Sequence, residues 1–304
     1  MKKSNTYLRW AVAAAVMAIV IALPLVLVHK NAQTKAGALN IVAAENFWGN
    51  IASQIGGNRV NVTSVITDPN ADPHLYESDA NDASRVASAD VVIVNGLGYD
   101  DFMTKLLSAS TNSNRQVLTA SQILGVTGAD ANPHLWYDIP HVPLVAAQIE
   151  QALAAKDPSR ASYYEQNLTN FDNSLAPINR AIATIKSKYA GAPVAYTEPV
   201  PGYLLADAGL SVKTPEAFAR AIEDGNDPSP ADDATMQNLM TRRSVKVLLY
   251  NSQATSQVTQ NIRDLAKQQG IPVIGVSETL PGSAGSYQSW QLGQVEALLN
   301  ALGG

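Results

Sequence analysis

A chain of 304 residues with a net charge of −5 and 15% charged residues has no basic stripe along which a nucleic-acid backbone could lie, which argues against such a partner. It contains no cysteine, and that removes disulfides, thiolate metal sites, thiol nucleophiles and a lipid-modified N-terminal cysteine. Any metal must therefore be held by nitrogen and oxygen.

Lys2, Lys3 and Arg9 precede an apolar run from Trp10 to Val28, and the polar His29-Lys30-Asn31 closes it. A basic stretch followed by an apolar run of this length reads as a signal peptide or an N-terminal membrane anchor over residues 1–38, with Ala36-Gly37-Ala38 fitting a small-x-small cleavage site. Under either reading the remainder is exported, to the periplasm or the outer face of the cytoplasmic membrane, without a lipid.

From Leu39, short β-branched runs alternate with amphipathic segments, the rhythm of βα units on a parallel sheet. Residues 40–43, 60–66 and 91–95 predict strands, and 48–55 and 82–88 predict helices. Gly56-Gly57-Asn58 supplies the left-handed backbone that ends the first helix. The loop after the second strand delivers His74 in Asp72-Pro73-His74-Leu75-Tyr76-Glu77, and a related segment follows at Asn132-Pro133-His134-Leu135-Trp136. Proline fixes its own φ and biases its predecessor towards extended backbone, so each Pro-His pair holds an imidazole on a stiff loop. One loop histidine is more often a solvated or hydrogen-bonded side chain than a ligand. Two Pro-His-Leu-aromatic segments in a chain with four histidines raise metal ligation to an equal reading.

Asn95-Gly96-Leu97-Gly98-Tyr99 reads as a tight turn, and its two glycines do not match a nucleotide-binding loop. His141 reads as a surface or capping residue at the start of a helix from Val142 to Ala155, with Asp138 a cap or orienting group. Tyr164, Leu168, Phe171, Leu175, Ile178, Ile182, Ile185 and Tyr189 then recur at spacings of four and three, one apolar stripe on a single helix that Pro177 should kink without ending. Some thirty helical residues span about 45 Å, long enough to run along two lobes.

The βα rhythm then repeats. Residues 193–196, 245–250 and 271–276 predict strands, and 202–208, 231–241, 255–269 and 287–299 predict helices. Glu198 follows the first of these strands and Glu278 the third, each at a strand end comparable to that of His74. Asn251 follows the middle strand and reads first as a turn residue, second as part of the same cleft. The fold class is therefore α/β: two βα lobes with mostly parallel sheets joined by one long spine helix, divided at 39–156, 157–191 and 192–304. Two imidazoles and two carboxylates would make a shell whose charge cancels that of a divalent ion.

These residues resemble the metal-binding substrate-binding proteins of zinc and manganese ABC transporters, the cluster A-I group, over essentially all of Leu39 to Leu302. The resemblance is carried by Asp72-Pro73-His74-Leu75-Tyr76-Glu77, Asn95-Gly96-Leu97-Gly98, Pro133-His134-Leu135-Trp136, Asp157-Pro158, Glu198 to Tyr203 and Ser286-Tyr287. It implies one transported Zn2+ or Mn2+ ion held by His74, His134, Glu198 and Glu278, with Ser277 and Asn251 as alternatives to the last. It further implies an ABC permease with its cytoplasmic ATPase as partner, a monomer, and no catalytic activity. An envelope metallohydrolase or a metal-stabilised adhesin are the competing classes. The former would need an open coordination position and a general base, and no HExxH motif occurs.

Overall fold

The computed structural model describes residues 37–68 and 76–303, so the expectations for the N-terminal segment and for His74 fall outside the described residues. From Ala38 onward the described chain is one compact unit, and no helix in it is long and apolar enough to cross a membrane.

Among the described residues the backbone forms two parallel four-stranded sheets. The first contains β1 (Leu39–Glu45), β2 (Val60–Ile66), β3 (Val91–Val94) and β4 (Gln116–Thr119) in the order β2-β1-β3-β4. The second contains β5 (Pro193–Tyr196), β6 (Ser211–Val212), β7 (Leu248–Asn251) and β8 (Val273–Val276) in the order β6-β5-β7-β8, so the two lobes share one winding. Register is set by apolar pairs: Ile41 lies between Val62 and Val91, and Leu248 between Ala195 and Val273. Crossover helices cover both faces, which is why Val91-Val92-Ile93-Val94 is apolar throughout and not alternating. Val42, Val65, Val92, Phe102 and Leu106 fill the outer layer of the first lobe, and Phe218, Met236, Leu248 and Ile262 that of the second.

The remaining layer is shared. One continuous core joins Ile41, Phe47, Trp48 and Trp136 of the first lobe to Val194, Val247, Tyr287 and Trp290 of the second. Phe47 stacks on Trp136 at 4.0 Å between ring centroids, and the Tyr287 hydroxyl donates to the Trp136 carbonyl at 2.6 Å. The Asn46 amide closes this side by donating to the Leu280 carbonyl at 2.8 Å and accepting from its N–H at 2.9 Å.

The first helix, α1 (Asn46–Gly56), ends where expected, with Gly57 at φ 55°. Capped by Asp79, α2 (Ala80–Ala87) is followed by α3 (Asp101–Ala109), the short α4 (Ala120–Leu124) and α5 (Val142–Lys156). The spine differs from the single kinked helix expected. It is two helices, α6 (Ala161–Ser174) and α7 (Ala176–Tyr189), separated at Leu175. Pro177 has no N–H to give the carbonyl four residues back and its ring crowds that carbonyl, so the ladder breaks just ahead of the proline, at Leu175. The stripe stays in phase across the break, since Tyr164, Phe171, Leu175, Ile178, Ile182 and Ile185 are all buried.

The second lobe adds α8 (Gly202–Asp207), α9 (Glu216–Glu223), α10 (Pro230–Thr241), α11 (Gln257–Gln268) and α12 (Tyr287–Gly303). Strands β7 and β8 start later than predicted, although Val245 and Val247 are buried ahead of β7. Apolar patterning reports burial, and burial begins before regular pairing does.

Candidate metal centre

Both sheets reverse strand order beside their first strand, and in open parallel sheets ligands gather outside the carboxyl ends at such a point. In the second lobe those ends carry Thr197-Glu198 after β5 and Asn251 at the end of β7, while Glu278 lies two residues beyond β8. In the first lobe they carry Glu45 at the end of β1 and Asn95 after β3.

Asn95 supports the histidine loop. Its amide donates to the Pro133 carbonyl at 2.8 Å and its oxygen accepts from the Trp48 indole at 3.3 Å. The following turn, Gly96-Leu97-Gly98, has φ values of 83°, 60° and 81°, so two glycines, which take left-handed backbone freely, flank a leucine that takes it as well. The Asp100 carboxylate accepts from the N–H groups of Asn95 and Gly96 at 2.6 and 2.9 Å.

His134 is fully buried. Its Nδ1 lies 2.7 Å from Asn132 Oδ1, which also accepts from the His134 backbone N–H at 3.0 Å. An amide oxygen only accepts, so Nδ1 carries the proton, and in the neutral ring Nε2 presents a lone pair. Nε2 has no hydrogen-bond partner and stands 3.7 Å from Glu278 Oε2. That is too long for a hydrogen bond. It suits two donors sharing an ion bound at about 2.0–2.2 Å from each.

Glu198 is 2% exposed and Glu278 fully buried. Asn251 Nδ2 donates to both, at 2.8 Å to Glu198 Oε2 and 2.5 Å to Glu278 Oε1, while Asn251 Oδ1 accepts from the Gln253 N–H at 3.0 Å. Asn251 is thus a turn residue and a lining residue at once. The Tyr99 hydroxyl donates to Glu278 Oε2 at 2.8 Å, and Gln253 Oε1 accepts from the N–H groups of Glu278 and Thr279 at 2.5 and 2.9 Å. The hydroxyl of Ser277, an alternative to Glu278, bonds the Thr279 carbonyl and the Trp290 indole.

The structure therefore brings His134 and Glu278 together, reaches Glu198 through Asn251, and leaves His74 outside the described residues. Among the described residues no three His, Cys, Asp or Glu side chains converge closely enough to hold an ion. Asn251 stands between the two glutamates and bonds both. His141 is exposed, as its reading as a surface residue expected, and its Nδ1 contacts Asp138 Oδ1 at 2.7 Å.

A cleft of about 500 Å³ opens beside these groups, lined among others by Tyr99, Asp130, Asn132, Tyr196, Arg220 and Glu223. Arg220 bridges its rim to Asp130 at 2.6 Å, and Glu223 Oε1 reaches within 3.9 Å of His134 Nδ1. Sequence reading missed α9, which carries both Arg220 and Glu223. Its signal was the buried spacing of Phe218, Ala219 and Ile222. It also missed the roles of Tyr99 and Asn132, whose partners are remote or apparent only in three dimensions. Beneath the site, burial pushes the carboxyl of Glu45 well above its usual range, with the Asp100 charge adding to the effect, and burial raises Asp100 as well.

A profile of the family described as zinc-uptake complex component A, periplasmic, matches residues 41–301. The manganese-binding lipoprotein MntA of Bacillus subtilis is 24% identical over 245 residues, 77% of this chain and 78% of that protein. The manganese ABC transporter substrate-binding lipoprotein PsaA of Streptococcus anginosus is 26% identical over 163 residues, and there the chain spans about half the length of its relative, 52%. The structure of the SBP FpvC from Pseudomonas aeruginosa in complex with Mn2+ superposes with a TM-score of 0.72 at 25% identity, covering 88% of this chain and 98% of that one. Two of these relatives are named lipoproteins, so the expectation of an unlipidated protein is not borne out by them, although this sequence holds no cysteine.

Proposed function

This chain belongs to the family of the periplasmic component A of the zinc-uptake complex, and on that premise we propose that it captures one divalent transition-metal ion, Zn2+ or Mn2+, between its lobes and hands it to an ABC importer. In this reading His74 and His134 supply nitrogen, and Glu198 and Glu278 supply oxygen. The observation that carries it is the bare Nε2 of His134, buried and facing Glu278 Oε2 at 3.7 Å. A buried polar atom without a partner is costly, and a cation removes that cost.

The ion is cargo. Neutral imidazoles and two carboxylates balance a divalent charge, and the Irving–Williams order favours Zn2+ over Mn2+ at such a site, so both ions should bind. The exported location, the permease and ATPase partners, the absence of catalysis and the monomeric state follow from the family reading, as does the division at 39–156, 157–191 and 192–304. Support for that division comes from the matching windings of the two sheets on either side of α6 and α7.

The test is calorimetric titration of the chelator-stripped exported part with Mn2+ and Zn2+, comparing wild type with His74→Ala, His134→Ala, Glu198→Ala and Glu278→Ala. One ion per chain in the wild type, and weakened uptake in every variant, is the expected result. Uptake of neither ion by the wild type would end the reading, and an unchanged Glu278→Ala would remove that residue from the ligand set.

A further inference from the structure

Asn132 touches both halves of the centre. From the first lobe its oxygen accepts from the His134 ring at 2.7 Å and from the His134 N–H at 3.0 Å. Its amide nitrogen donates at 2.8 Å to the carbonyl of Pro199, the residue after Glu198, and its own carbonyl accepts from the Tyr203 hydroxyl at 2.8 Å. These partners settle the orientation of the amide, because a backbone N–H can only donate and a carbonyl can only accept. The second lobe also makes room for it. A Cβ added at Gly202 would stand 2.7 Å from Asn132 Nδ2, with no positive φ at that glycine to account for the missing side chain.

We propose that Asn132 is a positioning residue that makes the metal-ready state of His134 depend on apposition of the lobes. The inference rests on the proposed function for its ligand and adds a coupling that function does not require. While the lobes are together, Pro199 holds the amide nitrogen, so the oxygen is aimed at Nδ1–H and Nε2 keeps its lone pair towards Glu278. Parting the lobes at this edge breaks the bond to Pro199 and leaves the side-chain amide held by the His134 backbone N–H alone, so the acceptor that fixes the imidazole tautomer is less firmly placed. Outer groups of this kind set ligand orientation and basicity.

Three variants separate the two ends of the amide. Asn132→Asp keeps an acceptor for Nδ1–H and loses the donor to Pro199. Asn132→Ala loses both. Gly202→Ala leaves Asn132 in place and crowds its nitrogen. The measurements are the His134 tautomer by 15N NMR of metal-free protein, Zn2+ and Mn2+ affinity by chelator competition, and lobe separation by energy transfer. The dye pair is carried on Ser108→Cys and Gln237→Cys, exposed positions on α3 and α10 in a chain without native cysteine.

Wild type and Asn132→Asp are expected to show one Nδ1–H tautomer and Asn132→Ala a mixture. Affinity should fall about 10- to 100-fold in Asn132→Ala and hold in Asn132→Asp. The metal-free lobes should sit further apart in Asn132→Asp and Gly202→Ala than in wild type. An unchanged tautomer in Asn132→Ala overturns the proposal, as do equal affinity losses in Asn132→Asp and Asn132→Ala, or unchanged lobe separation in both Asn132→Asp and Gly202→Ala. The tautomer is read without metal, so a wild type that binds no ion would sink the proposed function while this test still gives its answer.

Discussion

The two lobes use the same side chain in opposite polarity. In the first, Asn132 turns its oxygen to the Nδ1–H of His134, and in the second, Asn251 turns its nitrogen to the carboxylates of Glu198 and Glu278. An imidazole ligand needs an acceptor behind it to bare its other nitrogen, whereas two buried carboxylates need a donor between them to relieve their repulsion. The equivalent strand ends sharpen the contrast. Glu198 after β5 is clasped by Asn251, but Glu45 at the end of β1 has neither oxygen hydrogen-bonded. A shared winding supplies the positions, and the local donors decide which acid is hydrogen-bonded.

The sharpest way to break this comparison is to remove a proposed ligand from each lobe. His134→Ala and Glu278→Ala should each weaken Zn2+ binding by more than about 100-fold, beyond the loss typical of outer groups, as read by chelator competition. A loss confined to one variant would mean that the lobes do not share an ion.

Next comes Asn251→Leu, which leaves two facing carboxylates without their common donor. Metal-free stability in urea should fall by about 3 kcal/mol, the scale of charge-assisted hydrogen bonds lost in a buried site. The gain in Tm on adding Zn2+ should exceed that of wild type, because the ion then supplies the missing positive partner. An unchanged metal-free Tm would show that the amide does not stabilise the pair.

Glu45→Leu tests the other strand end. Because the folded carboxyl titrates above its unfolded value of about 4.3, its neutral form is the one the fold favours. The penalty is absent below the unfolded pKa and grows as pH rises towards the raised folded one. Glu45→Leu should therefore be more stable than wild type at pH 7 by about 1–3 kcal/mol, a gap that narrows towards pH 4 in thermal unfolding. A gap that widens on acidification would contradict the burial argument. The smallest effect belongs to Arg220→Ala, which removes an exposed bridge to Asp130 and should cost less than about 1 kcal/mol in urea unfolding.

Much of this was legible in the sequence because it depends on local pattern. The βα rhythm marks both sheets, the four-and-three stripe marks the spine, and the positions after β5 and β8 mark Glu198 and Glu278. The long-range hydrogen bonds were not legible. Tyr99 meets Glu278 across 179 positions and Asn132 meets Pro199 across 67, and neither side chain carries a local signature of its partner. Asn251 shows the boundary well. Its turn bond to Gln253 is local and was anticipated as the first reading, while its hold on two glutamates needed the sheet to bring β5, β7 and β8 side by side.

The claim beneath all of this is that side chains from both lobes close on one ion. Anomalous diffraction from crystals grown with Mn2+, recorded at the manganese edge, measures it most directly. One peak within bonding distance of His134 Nε2, with oxygens of Glu198 and Glu278 in the same shell, is the predicted result. A peak bound by one lobe alone, or lying away from His134, would contradict it.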